Sequence, residues 1–123
     1  MLDHLVLGVA DYERSKAFYR AALAPLGYEV VLEVNELSCG FGAAGTGKPE
    51  FFVGARERSG PVHVAFASPD RAGVDAFYEA AMAAGATDNG RPGLRELYHP
   101  HYYGAFVFDP DGNNVEAVCH RPE

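Results

Sequence analysis

Several features are scarce in this sequence, and each scarcity excludes a class of protein. Its 123 residues contain no tryptophan and only two cysteines, and 10 lysines and arginines stand against 17 aspartates and glutamates. The net charge of −7 disfavours nucleic acid and anionic membranes as partners, because no basic stripe exists to neutralise phosphates. No apolar run approaches the roughly 18 residues of a membrane-spanning helix. We therefore expect a small molecule or another protein as the partner.

The two cysteines, Cys39 and Cys119, are too few for a disulfide framework. No basic and apolar leader precedes Leu2, where the first strand is predicted to begin. We expect free thiols and a cytoplasmic location.

The bulk composition is that of a folded domain, with 48% hydrophobic and 22% charged residues. At this length one domain is expected. Each half of the chain would be marginally stable alone, so we expect the two halves to share a core.

The two halves repeat each other. Shifting the sequence against itself by 59 residues (63 minus 4) aligns His4 with His63, Asp11 with Asp70, and the segment 17–19 with 76–78. Each copy predicts an apolar strand, an acidic helix cap and an amphipathic helix. We predict module one over residues 1–56, a linker over 57–60 and module two over 61–123, all within a single domain.

The remaining elements follow from alternation and turn residues. Strands are predicted over 2–9, 28–34, 37–43, 50–56, 62–67, 105–108 and 114–120, with helices after the two acidic caps. The segment 87–103 contains several glycines and prolines and is predicted to be a functional loop with at most one short strand. Asp109 to Gly112 is predicted to be the turn of a closing hairpin.

The residues most able to carry chemistry are two histidines and one glutamate. Glu116 lies within an apolar strand, where an unpaired carboxylate would cost several kcal/mol. Strand alternation directs His4 and His63 to the face opposite the helices, so they are candidates to meet it. Two imidazoles and one carboxylate suit Fe(II), Zn, Ni or Mn with open coordination positions. Alternatively the histidines are structural, and Glu116 pairs with Arg91 or Arg95.

A twofold duplication also predicts a counterpart of Glu116 in module one. The candidate is Glu50, as a fourth ligand or a base, unless an aromatic residue such as Phe52 has replaced it. In the loop before the closing hairpin, His101, Tyr102 and Tyr103 are candidates to bind a substrate or to transfer a proton. Phe52 and Arg95 are further candidates for substrate binding or catalysis.

The sequence resembles the vicinal oxygen chelate superfamily, which holds glyoxalase I, extradiol dioxygenases, fosfomycin-resistance enzymes and bleomycin-binding proteins. The resemblance rests on the segments 4–11, 63–66 and 109–116, with Ser15 and the Phe18-Tyr19 pair. It implies an α+β fold in which two paired βαβββ modules form a curled, cup-shaped mixed sheet, with helices on the outside, around a metal.

The resemblance also assigns residues. The first-strand histidine of the family matches His4, the fifth-strand histidine matches His63 and the last-strand glutamate matches Glu116. The glyoxalase pattern has a further glutamate on the fourth strand, which Glu50 matches poorly, and this leaves the three-residue set of the dioxygenases. The implied activity is that of a metal-dependent lyase, isomerase or dioxygenase on a substrate that chelates through adjacent oxygens.

A second interpretation is a metal-free protein that binds a drug in an apolar cup, which Phe52 and the loop tyrosines would line. In either case we expect a homodimer, because the open sheet edges of such small modules need covering.

Overall fold

A computed structural model describes all 123 residues and contains two helices and eight strands. Module one comprises β1 (Leu5–Val9), α1 (Tyr12–Leu23), β2 (Tyr28–Asn35), β3 (Ser38–Ala43) and β4 (Phe51–Ala55). Module two comprises β5 (His63–Ala67), α2 (Arg71–Ala83), β6 (Thr87–Leu94), β7 (Tyr103–Phe108) and β8 (Asn114–Cys119). The predicted α+β fold of two βαβββ modules is confirmed.

Each module forms its own four-stranded mixed sheet. The strand order is β1-β4-β3-β2 in sheet one and β5-β8-β7-β6 in sheet two. The first and last strands of each module pair in parallel, and the other neighbours are antiparallel. No strand of one sheet pairs with a strand of the other, so β1 and β5 each lie at a sheet edge.

Both helices begin at the predicted acidic caps. The carboxylate of Asp11 accepts a hydrogen bond from the Arg14 amide at 3.1 Å, and that of Asp70 accepts one from the Gly73 amide at 2.7 Å. A short 3₁₀ turn follows α1 and ends at Gly27, whose φ of 87° suits a residue without Cβ.

One hydrophobic core of 21 buried residues includes members of both modules, as expected for halves that are marginal alone. Helix α1 contacts α2, and each helix also packs against strands of its own module. The helices therefore form part of the junction between the modules within one chain. The sheet faces that point away from the helices carry exposed residues, among them His4, Val6, His63 and Ala65.

The turn after β7 fastens module two to module one. The Tyr19 hydroxyl on α1 donates to the buried Asp109 carboxylate at 2.5 Å, and the Arg14 guanidinium donates to the Pro110 carbonyl at 3.0 Å. The Asn113 side chain and backbone amide donate to the same carboxylate. The predicted hairpin turn is present, and it also serves as a joint between the two modules.

The segment after α2 differs from the prediction. Residues 87–94 form an eight-residue strand, although they contain Gly90, Pro92 and Gly93. Two irregularities in the register with β7 accommodate these residues. Because β6 is the edge strand of sheet two, Pro92 can occupy it without removing a bond from the sheet interior. Only residues 95–102 connect β6 to β7.

The expectation of free thiols is confirmed, because Cys39 and Cys119 are both unpaired and buried. Neither helix is long and apolar enough to cross a membrane.

Candidate functional site

The open face of sheet two brings together two of the predicted residues. Strands β5 and β8 are parallel neighbours, with Ala65 opposite Glu116. The His63 Nε2 atom lies 2.7 Å from Glu116 Oε1, within hydrogen-bond distance. Glu116 is only 1% exposed, whereas the His63 side chain is 54% exposed. A buried carboxylate is thus joined to an imidazole that faces solvent.

The second oxygen of Glu116 also has a partner, because the Tyr102 hydroxyl donates to Oε2. Burial raises the pKa of this phenol well above its ordinary value, and the neighbouring Glu116 raises it further. Glu116 forms no ion pair with an arginine, so the alternative pairing with Arg91 or Arg95 is wrong.

Gly104 provides the space through which Tyr102 reaches the carboxylate. A Cβ atom at this position would lie 3.1 Å from the Tyr102 ring and 3.5 Å from Glu116 Oε2. Glycine therefore leaves room for the aromatic ring beside β7.

A cavity of about 440 Å³ adjoins His63 on this face. The residues around it come from β5, β6, β7, β8 and the connection that follows β6. They are His63, Asn89, Gly90, Arg95, Tyr98, Phe106 and Asn114. The cavity is open, polar at its rim and large enough for a small molecule.

His4 lies elsewhere. Its Nδ1 atom is 2.7 Å from the Asp3 carboxylate, and its ring meets the edge of Phe52 with centroids 5.5 Å apart. Within one chain, no group of three histidine, cysteine or acidic side chains is arranged to hold a metal ion. The structure therefore joins His63 to Glu116 but leaves His4 on sheet one.

The strand register identifies the module-one counterpart of Glu116. Ala65 is opposite Glu116 in sheet two, and its repeat equivalent Val6 is opposite Phe52 in sheet one. Phe52, and not Glu50, occupies the equivalent position. Glu50 is exposed just before β4 and borders a second cavity of about 250 Å³, which His4 also lines. Of the two alternatives that the sequence left open, Glu50 is wrong as the counterpart of Glu116 and the aromatic replacement is confirmed.

The three candidates from the loop before the closing hairpin have different contacts. The Tyr103 hydroxyl donates to the Asp75 carboxylate of α2 at 2.6 Å, and this bond, together with burial, raises the pKa of Tyr103. His101 is exposed, and its backbone amide donates to His99 Nδ1. Of the three residues, only Tyr102 contacts the His63 and Glu116 pair.

Sequence reasoning missed His120 as a neighbour of the site. Its ring meets the edges of Tyr102 and His99, with centroids 5.3 and 5.6 Å away. A signal was available, because strand alternation puts His120 on the same face as Glu116.

Comparisons with known proteins agree on one family. Residues 1–117 match the model of the Glyoxalase/Bleomycin resistance protein/Dioxygenase superfamily. A glyoxalase/bleomycin resistance protein from Albidiferax ferrireducens T118 is similar over 96% of this chain and 97% of its own, with 29% identity and a TM-score of 0.77. No curated protein matches the sequence.

Two further solved structures share the fold at lower identity. A glyoxalase/bleomycin resistance protein/dioxygenase family enzyme from Burkholderia phytofirmans PsJN is 23% identical, with 98% of both chains covered and a TM-score of 0.73. Lactoylglutathione lyase from Agrobacterium tumefaciens is 21% identical, with 94% of this chain and 90% of its own covered and a TM-score of 0.67. At these identities the likeness concerns the fold alone.

Proposed function

The chain belongs to the glyoxalase/bleomycin resistance protein/dioxygenase superfamily, and from this premise we propose that it is a divalent-metal-dependent enzyme. Its substrate is a small molecule that chelates through adjacent oxygens, and its reaction is that of a lyase, an isomerase or a dioxygenase. The observation that carries the proposal is the contact between the buried Glu116 carboxylate and the exposed His63 imidazole. A bound ion would polarise the substrate oxygens as a Lewis acid.

The donor set fits such an ion in its chemistry. Imidazole nitrogen and carboxylate oxygen together suit Fe(II), Zn, Ni and Mn. Tyr102 anchors one oxygen of Glu116, which leaves Oε1 and His63 Nε2 directed toward each other at the open face. Ligation would replace the hydrogen bond between these two atoms and leave the Tyr102 contact intact. Tyr102 is thus a positioning residue for Glu116.

A third protein ligand comes from a second copy of the chain in this proposal. His4 is the repeat equivalent of His63, but within one chain their sheets share no strand pairing and the two histidines belong to no common group that could hold a metal ion. Module one has Phe52 where module two has Glu116, so the strand position equivalent to Glu116 carries no carboxylate in module one. Facing module one of one copy with module two of another would unite His4, His63 and Glu116.

Exposed apolar residues support a homodimer. Leu5, Val6 and Leu37 of module one are exposed, as are Leu97 and Tyr98 of module two. Strands β1 and β5 have no strand partner on their outer sides, although Ser59 of the linker bonds to Gly8 there. We also propose a cytoplasmic location, because both cysteines of the chain are unpaired.

Metal analysis and subunit mixing test the proposal together. We expect near-stoichiometric metal in the wild-type dimer and strong loss in the variants His63→Ala, Glu116→Ala and His4→Ala. Mixing His4→Ala with Glu116→Ala after reversible unfolding creates hybrids with one intact shared site. Such a mixture should regain about a quarter of the wild-type metal content, since half of the random dimers are hybrids with one of two sites intact.

Two outcomes would count against these assignments. A wild-type protein that holds no metal after growth or reconstitution with Fe(II), Zn, Ni and Mn would overturn the metal enzyme. Metal that persists in Glu116→Ala, or a mixture that regains none, would overturn the ligand set or its division between two chains. Size measurement by light scattering checks the dimer directly.

A metal-free binding protein is the second candidate, and one observation favours it. Both oxygens of Glu116 already have protein partners, so the buried carboxylate is satisfied without an ion. The smaller cavity, bordered by Phe41, Phe51 and Phe66, would then hold an apolar ligand. Unchanged binding of an aromatic drug in EDTA and in Glu116→Ala would support this role over the enzyme.

A further inference from the structure

Arg95 lies beside the candidate site and shares an aromatic neighbour with His63. Its guanidinium carbon is 5.5 Å from the centre of the Phe106 ring, and the His63 ring centre is 6.2 Å from the same ring. Both side chains border the cavity of about 440 Å³. A small molecule in this cavity can therefore contact Arg95 and His63 together.

Strand β6 is shaped to hold this guanidinium. A Cβ atom at Gly90 would lie 3.2 Å from Arg95 Nη2, and one at Gly93 would lie 3.0 Å from Nη1. Gly90 also has a φ of 151°, which L side chains rarely adopt. The Arg95 Nη2 donates to the Arg91 carbonyl at 2.7 Å, which fixes the group further. The glycines that made this strand hard to predict thus leave room for one arginine.

The charge of the cavity has one sign. Arg95 is the only lysine, arginine, aspartate or glutamate among the residues that border it. Arg95 forms no ion pair, although the chain has 17 acidic residues. Its bond to a single backbone carbonyl leaves further N–H donors of the guanidinium unused. A half-buried guanidinium of this kind recognises oxyanions by charge-assisted hydrogen bonds.

We propose that Arg95 determines substrate specificity by binding an anionic group, a carboxylate or a phosphate-like group, at one end of the substrate. This inference rests on the proposed function, in which the adjacent oxygens of the same substrate face His63 and Glu116. The substrate class is therefore a chelating compound that also carries a negatively charged oxyanion. Arg95 binds and orients the substrate and takes no part in bond making.

Two probes that differ in one charge test this assignment. Both 3,4-dihydroxybenzoate and 3,4-dihydroxybenzyl alcohol carry adjacent oxygens, but only the first carries a carboxylate. We expect zinc-loaded wild-type protein to bind the benzoate about tenfold more tightly than the alcohol in calorimetric titrations. Arg95→Gln should abolish this preference and leave the affinity for the alcohol unchanged. Arg95→Lys should retain part of it.

Arg91→Gln is the matched control. It removes a neighbouring arginine of β6 but keeps the backbone carbonyl that Arg95 contacts, so the preference should persist. Zinc content and circular dichroism verify that each variant is folded and loaded. Two results would overturn the role of Arg95 without touching the proposed function. One is a wild-type protein that holds zinc but binds both probes equally, and the other is an Arg95→Gln protein that keeps the preference for the benzoate. Wild-type protein that holds none of Zn, Fe(II), Ni and Mn overturns the proposed function and the substrate class with it.

Discussion

The contact between Tyr102 and Glu116 allows a stability prediction that separates a buried hydrogen bond from an exposed one. Tyr102→Phe deletes only the hydroxyl that donates to Glu116 Oε2 and keeps the ring in place. Because Glu116 is 1% exposed, water cannot easily replace the lost donor. A hydrogen bond to a charged group contributes about 1.5 to 3 kcal/mol, so we expect a loss of about 2 kcal/mol in the free energy of unfolding.

Tyr103→Phe is the matched control, since it makes the same chemical change at the next residue. Its hydroxyl donates to Asp75, which is exposed, so water can take over the bond. We expect a loss of at most about 0.5 kcal/mol. The comparison separates the effect of burying the acceptor from the general effect of removing a phenolic hydroxyl.

Urea unfolding followed by circular dichroism measures both variants, since the chain has no tryptophan for fluorescence. The titrations should be done in EDTA at one protein concentration, so that metal and association contribute equally. The Tyr102→Phe midpoint should fall with an unchanged m-value, and the melting temperature should fall by roughly 8 °C. Equal losses in the two variants would refute the reasoning that Tyr102 holds a buried carboxylate.

Two further predictions concern the frame that carries the site. Gly8 and Gly54 are register partners, but a Cβ at Gly8 would lie 2.3 Å from a linker carbonyl while one at Gly54 meets its nearest atom at 3.5 Å. Gly8→Ala should therefore lower the free energy of unfolding, measured in urea, by about 3 kcal/mol, and Gly54→Ala should lower it by under about 1 kcal/mol. The reverse order of losses would contradict this packing. Burial and the adjacent Asp109 raise the pKa of Tyr19. The protonated phenol therefore stabilises the folded protein fully below pH 10, and this contribution is lost as the pH rises further. Tyr19→Phe should flatten the decline of stability above pH 10, and an unchanged alkaline slope would count against this role.

Local signals in the sequence were sufficient for much of the fold. Asp11 and Asp70 were predictable as caps because an N-cap carboxylate acts on an amide only three residues away. The repeat then supplied the long-range information, since equivalent positions must occupy equivalent strands. It placed His63 on the same open face as Glu116, which the structure confirms.

Features that depend on gaps between side chains were not predictable. The length of β6 was missed because two register irregularities break the alternation that identifies a strand. The reach of Tyr102 to Glu116 depends on the missing Cβ of Gly104, which no local pattern reveals. The sequence placed the Asp109 carboxylate in a turn, but its bond to Tyr19 joins residues 90 positions apart.

Divergence between the two modules explains why the fold alone does not complete a site. The repeat keeps a histidine at positions 4 and 63 but exchanges the opposing strand residue, Phe52 in one sheet and Glu116 in the other. Two identical half-sites would crowd carboxylates together, whereas one histidine facing a histidine and a glutamate leaves coordination positions open for a substrate. In the proposed site, that complementarity requires module one to face module two. Since no group of three candidate ligands forms within one chain, the divergence behind the proposed ligand set favours the proposal of a site assembled from two chains.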